Sequence, residues 1–274
     1  MLRGRPDVRI AYETREACDV VVVGGGVAGL AAARELRRSA PNENVVVLEL
    51  ESKVGGTSLG GEEGAMRFPW GAHYLPAPHA DNRDLVALLE EMGVVRGTGD
   101  DGDLVFDEGA LVREPDERLF YRGYWYGGLY PLVGETAREK RGRERFEAQM
   151  ATFSRLRDGR GRRAFSLPID EGSDDAELTA LDRVSASDWL AREGYTSSKL
   201  RWLCDYACRD DFGLRLEETS AWALIHYHAA RLDSSGETRP ILTWPEGNQA
   251  LVTQLVRTTD RAKRRTGLVV TRVA

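Results

Sequence analysis

Asp19-Val20-Val21-Val22-Val23-Gly24-Gly25-Gly26-Val27-Ala28-Gly29-Leu30 is the stretch on which the reading of this chain turns. Val20 to Val23 form an unbroken β-branched run, the pattern of a strand buried on both faces. Gly24, Gly26 and Gly29 then spell G-x-G-x-x-G, and Leu30-Ala31-Ala32-Ala33-Arg34-Glu35-Leu36 is built from good helix formers. Glycines at this spacing say little alone, but strand, glycine turn and helix in succession predict a dinucleotide-binding β-α-β unit. Gly24 permits a tight turn, Gly26 lets a pyrophosphate approach the backbone, and Gly29 lets the helix sit close to the strand. The first helical residues, Val27 and Ala28, present free N–H groups and the positive end of the helix dipole to the phosphates.

Asn44-Val45-Val46-Val47-Leu48-Glu49 reads as a second buried strand ending in a carboxylate. Glu49 follows Gly29 by 20 residues, the offset at which an acid accepts hydrogen bonds from a ribose 2′-OH. A carboxylate there repels a 2′-phosphate, which disfavours NADP. Glu51 is the rival acid, placed beyond the strand on the solvated side. The alternative is a glycine turn in an α/β protein that binds nothing; strand, helix and acid together argue against it.

The chain has 274 residues, enough for one large domain or two. Hydrophobic residues make up 42% and charged residues 30%, the balance of a soluble globular protein. The net charge of −6 argues against nucleic acid and anionic membranes as partners. No run of 18 apolar residues predicts a membrane span. Three cysteines, Cys18, Cys204 and Cys208, suggest a reducing compartment, with Cys204 and Cys208 as a packed pair of thiols on one helix. Met1 to Ala17 lacks an apolar signal core, so the cytoplasm is the default location; a true start upstream is the alternative.

Val54-Gly55-Gly56-Thr57 makes the reading more specific. The glycine fingerprint, Glu49, and a Gly-Gly pair six and seven residues later resemble the flavin-dependent amine oxidase and phytoene desaturase superfamily, which binds FAD in this fold. The likeness covers the N-terminal portion of that superfamily. It implies FAD contacts at Gly24, Gly26, Val27, Ala28, Gly29, Glu49, Leu50, Gly55, Gly56 and Thr57. The superfamily's loop commonly continues with arginine or a similar polar residue, where this chain has Thr57-Ser58. Phe68-Pro69-Trp70-Gly71-Ala72-His73-Tyr74 resembles the segment that runs under the flavin ring, which makes His73 and Tyr74 candidates for flavin or substrate contact. A hydrogen-bonded structural role is the alternative for His73. Trp244-Pro245-Glu246-Gly247-Asn248 resembles the Pro-x-Gly-Gly turn of the return to the flavin domain, with Asn248 in place of the second glycine. Gly267 to Val273 reads as a strand, and the resemblance implies an adenine contact through the backbone of Val273, with Val270 the other choice.

The expected architecture is therefore α/β: a Rossmann-like FAD/NAD(P)-binding domain, 1–75 with 240–274, and an inserted α+β substrate domain, 76–239. Family members continue beyond the position of Ala274, so the C-terminal part of the fold is expected to be missing and supplied by a further segment or a second chain. Alone, the chain is expected to be poorly soluble or oligomeric and to bind FAD weakly. The implied activity is that of an FAD-dependent oxidoreductase moving a hydride from a substrate C–H to flavin N5, on a small-molecule substrate. The alternative is a truncated, inert nucleotide-binding or interaction protein. No residue stands out as acid or base.

Elsewhere the sequence predicts an edge strand at Ile10-Ala11-Tyr12, a helix from Asp84 stopped by Gly93, a turn over 97–102 and a strand at Leu104-Val105-Phe106. Arg122-Gly123 reads as a hairpin turn whose aromatic neighbours pack on a sheet. Phe146, Met150, Phe153 and Leu156 mark an amphipathic helix, and Arg157 to Arg163 an exposed loop. Ser185 reads as an N-cap. Helices are expected over 198–208, with Arg209-Asp210-Asp211 at the end, and over 217–230. His226-x-His228 faces two ways on a helix, so no metal site is expected.

Overall fold

The computed structural model describes residues 15–100, 103–112, 117–233, 235–259 and 263–273. The expected strand at Ile10-Ala11-Tyr12 lies outside the described residues. The elements, in order, begin with β1 (Val20–Val23), α1 (Val27–Ser39), β2 (Val45–Leu48), β3 (Gly60–Glu63), β4 (Met66–Pro69), β5 (Tyr74–Pro76) and α2 (Arg83–Glu91). Next come β6 (Val95–Thr98), β7 (Leu104–Phe106), β8 (Leu111–Val112), β9 (Arg118–Tyr121), β10 (Tyr124–Gly127) and α3 (Ala137–Arg155). The last are α4 (Ala176–Thr179), α5 (Ala186–Arg192), α6 (Ser198–Phe212), α7 (Ala221–Ala229), β11 (Ile241–Thr243), α8 (Gln249–Arg257) and β12 (Arg264–Arg265). They form two compact units. One comprises the chain up to His73 and from Trp244 onward; the other runs from Tyr74 to Thr243.

In the first unit β1 and β2 pair in parallel, Val20 opposite Val45 and Val23 opposite Leu48. A parallel pair needs a crossover, which α1 provides. Ala33 of α1 packs on Val45 and Val47, with Val20, Val22 and Leu36 beside them. The expectation of a strand buried on both faces is corrected for β1. Successive side chains point to opposite faces; α1 covers Val20 and Val22, whereas Val21 and Val23 are 48% and 57% exposed. The sheet order is β1-β2-β12, so β1 is an edge strand among the described residues.

The strand expected over 267–273 is also corrected. The strand that pairs with β2 is β12, Arg264 opposite Val47 and Arg265 opposite Leu48. Arg264 is anchored there because its Nη1 donates to the carbonyls of Val256 and Thr259 at the end of α8. The apolar run begins only after β2 has ended. Gly267, at φ +72°, turns the chain, and the N–H groups of Gly267 and Leu268 donate to the carbonyls of Glu51 and Glu49. Val273 is consequently in no strand and is 81% exposed.

The second unit is built on α3, α5, α6 and α7, which enclose Phe146, Met150, Trp189, Leu190, Leu224 and Ile225. Beside them lies a sheet of order β5-β11-β8, with Ile241 between Pro76 and Val112. Thr136 and Glu139 form a reciprocal capping box at the start of α3. Ser185 caps α5 by accepting from the N–H of Asp188. Helix α6 runs on through Arg209-Asp210-Asp211 to Phe212 and stops at Gly213, φ +67°. An ion pair between Arg209 and Asp205, one turn apart, supports that extension. Helix α7 starts later than expected because Ser220 caps it.

Three further expectations change. Gly97 lies in β6 across a register irregularity, not in a turn. Arg122 (φ +51°) and Gly123 (φ +86°) do form the two-residue turn between β9 and β10. Its aromatics, however, are on the surface, with Phe120, Tyr124 and Trp125 more than half exposed, since a two-stranded ribbon has no second layer to pack on. Arg163 is largely buried, not part of an exposed loop, because its guanidinium meets His79 and Asp81. Among the described residues no helix is long and apolar enough to cross a membrane.

Candidate functional site

Gly24, Gly25 and Gly26 join β1 to α1, Gly29 follows inside the helix, and their surroundings differ. Gly24 has φ +99° with open space where a Cβ would stand, so the demand is conformational. Gly29 sits in α1, where a Cβ would lie 1.9 Å from the carbonyl oxygen of Gly24 and 3.2 Å from Val22 Cγ1. The helix therefore closes onto the turn itself as well as onto the strand. Gly26 precedes α1 at φ −72°, and a Cβ there would meet only Gly56 Cα, at 4.0 Å. Its side is open, and it supplies no side-chain cap to α1. The N–H groups of the first turn, at Val27 and Ala28, are those a helix leaves without intrahelical acceptors.

Gly55 and Gly56 form a second loop pressed on the first. The N–H of Gly55 donates to the carbonyl of Gly25 at 2.8 Å, and a Cβ on Gly56 would lie 3.3 Å from Gly26 Cα. Both adopt positive φ, +140° and +55°. Glu49, just past β2, stands where the loops meet. Its Oε1 accepts the N–H of Glu51 at 2.9 Å and its Oε2 the N–H of Gly25 at 2.6 Å. The N–H of Glu51, with those of Gly25 and Leu50, holds the carboxyl below the usual range against the opposing effect of burial. Leu50 is exposed.

Gly25 was not legible as a site residue because the fingerprint treats its position as free. A Cβ there would come within 2.7 Å of Val54 Cγ1 and 3.1 Å of Glu49 Oε2. Its signal was the third consecutive glycine.

Thr57 fixes the Phe68-to-His73 segment beside this loop. Its carbonyl accepts the N–H of Ala72 at 2.9 Å, and a Cβ on Gly71 would sit 2.6 Å from the same oxygen. The carbonyl of Ala72 accepts the N–H of Asn248 at 3.1 Å. Gly247, at φ +62°, leaves no room for a side chain against Pro69. His73 is exposed, with Nδ1 3.1 Å from the carbonyl of Gly71. Tyr74 opens the other unit, where burial and then the charge of Asp210 push its phenol upward. A groove of about 1060 Å³, bounded by Lys53, Val54, Leu59, Gln249 and Val252, lies on the α8 side and does not include the glycine turn.

Residues 22–92 match the NAD(P)-binding Rossmann-like domain family. A protein of Mycobacterium tuberculosis that carries the name flavin-containing monoamine oxidase AofH is 32% identical over 214 residues, covering 78% of this chain and 40% of that protein. The chain resembles the N-terminal portion of the flavin-containing amine oxidases. An L-amino acid dehydrogenase of Synechocystis is 25% identical over 225 residues, 77% of this chain and 41% of that protein. The chain thus spans about 40% of the length of the curated relatives it matches. The amine-oxidase likeness extends to the backbone. A putrescine oxidase superposes at a TM-score of 0.59 with 17% identity, covering 91% of this chain and 51% of that one. Cyclohexylamine oxidase from Brevibacterium oxydans gives 0.56, 17%, and the same coverage of each chain. A fatty acid isomerase from P. acnes gives 0.57, 17%, 95% and 54%. The fold is therefore shared by enzymes whose names specify different chemistry.

The other histidines, with Cys204 and Cys208, lie away from these loops in the sequence and belong to the second unit, whereas the half-buried Cys18 belongs to the first. His226 Nε2 is 2.8 Å from the carbonyl of Ser166, and burial lowers its pKa. His228 is pushed down to about 4 by burial and then by Arg231. Burial raises the Cys204 and Cys208 thiols, which leaves them as protonated core groups. No group of three or more His, Cys, Asp or Glu among the described residues could hold a metal.

Proposed function

We propose that this chain is the nucleotide-binding and substrate-facing portion of an FAD-dependent oxidoreductase of amine-oxidase type. The observation that carries the reading is the junction of the two glycine loops at the Glu49 carboxylate. The residues fit the ADP half of FAD. A Cβ on Gly26 would fill open space beside the α1 N-terminus, where N–H donors at Val27 and Ala28 suit a pyrophosphate. Gly24 and Gly29 shape that turn. Glu49 accepts from ribose hydroxyls, Leu50 flanks it, and Gly55, Gly56 and Thr57 form the second wall. Val273 offers its backbone to the adenine.

FAD, when bound, supplies two-electron oxidation of a substrate C–H bond. The chain's own residues bind and orient: Thr57 and Asn248 hold Ala72, and thereby set where His73 and Tyr74 begin. In this reading the unit from Tyr74 to Thr243 faces a small-molecule substrate, and the uncovered face of β1 is completed by a further segment or a second chain. The cytoplasm is the proposed location.

The test is calorimetry with FAD and NADP, followed by a visible spectrum during titration with amines. FAD binding tighter than NADP, and flavin bands bleached by an amine, are expected. Tighter NADP binding overturns the cofactor. Flavin that binds but is never bleached, with the rest of a relative's length supplied or not, favours a second reading, a nucleotide-binding protein without turnover. The exposed valines of β1 are what recommend that reading.

A further inference from the structure

We infer that the groove between α3 and the start of α6 binds a phosphate-bearing small molecule. It belongs wholly to the unit running from Tyr74 to Thr243, has a volume of about 560 Å³, and is lined by Arg138, Arg141 and Arg145. A cavity of that size suits a small ligand.

The arginines stand at i, i+3 and i+7 of α3, which puts them on one stripe. Like charges at such spacings repel and destabilise a helix. On the other stripes of α3 the charges are matched: Arg143 pairs with Glu135 and Glu147, and Lys140 with Glu144. On the groove stripe they are not. Arg138 and Arg141 have no ion pair or hydrogen bond among the described residues. Glu139 also borders the groove, but its carboxylate is occupied by the N–H and hydroxyl of Thr136. Gly142, between the arginines, adds no side chain to the floor.

Arg145 is already fixed in place. Its Nη2 donates to the carbonyl of Glu193 at 2.6 Å, and its guanidinium lies 4.4 Å from the ring centre of Tyr195. Thr196 and Ser198, each with a hydroxyl, also line the groove. One positioned guanidinium, two uncommitted ones and the hydroxyl-bearing Thr196 and Ser198 make a lining rich in donors. Planar forks approaching from several directions match the oxygens of a phosphate chain, whereas a single carboxylate would satisfy one fork. In a chain of net charge −6, three clustered cations beside a single carboxylate, Glu139, that is engaged by Thr136 mark a local field suited to such an anion.

The test titrates the chain with inorganic tripolyphosphate at fixed ionic strength, by calorimetry and by amide chemical shifts. Saturable binding is expected, with shifts concentrated at Arg138, Arg141, Gly142 and Gly194 to Ser198. The double variant Arg138→Glu, Arg141→Glu should bind at least tenfold more weakly while keeping its circular dichroism and melting temperature. The control Arg192→Glu should bind like the parent. Shifts centred on Gly24 to Gly29, equal loss in the control, or affinity that follows ionic strength alone each overturn the inference. So does a chain that binds polyglutamate but not tripolyphosphate, since that would make the groove a peptide site.

Discussion

Glu49 Oε2 accepts the backbone N–H of Gly25 at 2.6 Å, so the acid at the end of β2 and the glycine turn after β1 are one hydrogen-bonded piece. A residue picked out by its distance along the sequence from the fingerprint thus also holds the fingerprint's shape. The same carboxylate stabilises the loop at Glu51.

Glu49→Ala is accordingly expected to act twice. Losing a charge-assisted acceptor for the ribose should weaken FAD at least tenfold, in line with about 1.5–3 kcal/mol for such a bond. Losing the acceptor for two N–H groups should also lower the melting temperature of the free protein. Glu51→Ala keeps its own N–H and should change neither by much. Calorimetry and thermal melts on both variants check this; equal effects would mean that the acid serving the ribose has been misassigned.

Gly29 and Gly26 should separate fold from ligand. Alanine at an interior helix position ordinarily gains about 0.5–1 kcal/mol over glycine. At Gly29 that gain is outweighed, because a Cβ 1.9 Å from the Gly24 carbonyl forces the turn apart, and overpacking of this kind costs about 1–3 kcal/mol or more. Gly29→Ala should therefore destabilise the free protein. Gly26→Ala meets nothing closer than 4.0 Å and should melt like the parent, yet bind FAD at least tenfold more weakly. Urea midpoints beside FAD titrations read both. Normal stability of Gly29→Ala would contradict the packing argument.

The glycine fingerprint was legible because its requirements are local: one positive φ, one forbidden Cβ, and one helix that must start beside a strand. The exposed face of β1 was not, since four valines look the same whether one or both faces are covered. Strand β12 was hidden for another reason. Arg264-Arg265 has no strand signature, and it pairs with β2 because Arg264 is tied to the end of α8. The length of α6 is not legible because its last turn, Arg209-Asp210-Asp211, is polar; its helical register shows in the i, i+4 ion pair of Arg209 with Asp205. The aromatic hairpin was placed correctly by Arg122-Gly123, but burial of its rings depends on a second layer that its own residues do not encode. Least legible was the cluster at His79. Its partners Arg163 and Arg239 lie 84 and 160 residues away, and no short-range pattern joins them.

That cluster predicts an acid-sensitive second unit. Nδ1 of His79 accepts from Arg163 at 2.9 Å and from Arg239 at 3.0 Å, which requires a neutral ring. Burial first, then Arg239, Arg163 and Arg157, push His79 down to about 3. His226 and His228 are lowered as well. The unfolded chain takes up these protons near pH 6.5, whereas the fold resists them. Their contribution is thus complete above about pH 6.5 and falls as pH drops toward 3, by up to about 1.4 kcal/mol per pH unit for each histidine. Urea midpoints should decline steadily from neutral pH to pH of about 4.5, before most carboxylates titrate. His79→Gln, which keeps an acceptor oxygen, should flatten that decline by one proton's worth. A parent midpoint that stays level across the window would refute the prediction.

The last prediction concerns β1. Its outer edge is unpaired among the described residues, and Val21 and Val23 present apolar side chains to solvent. An exposed, β-branched edge strand is a template for pairing with another chain. Replacing both valines by threonine keeps their shape and strand propensity while making the surface polar. On the folded state alone the change should be small, because surface substitutions usually fall within about 0.5 kcal/mol. On association it should be large. Sedimentation velocity over a range of concentrations should show the parent chain forming oligomers and Val21→Thr, Val23→Thr shifted toward monomer, with matching melting temperatures. Adding the C-terminal half of a relative should compete with self-association of the parent and leave the variant unaffected. A parent chain that is monomeric at every concentration would show that the valine face is tolerated in water.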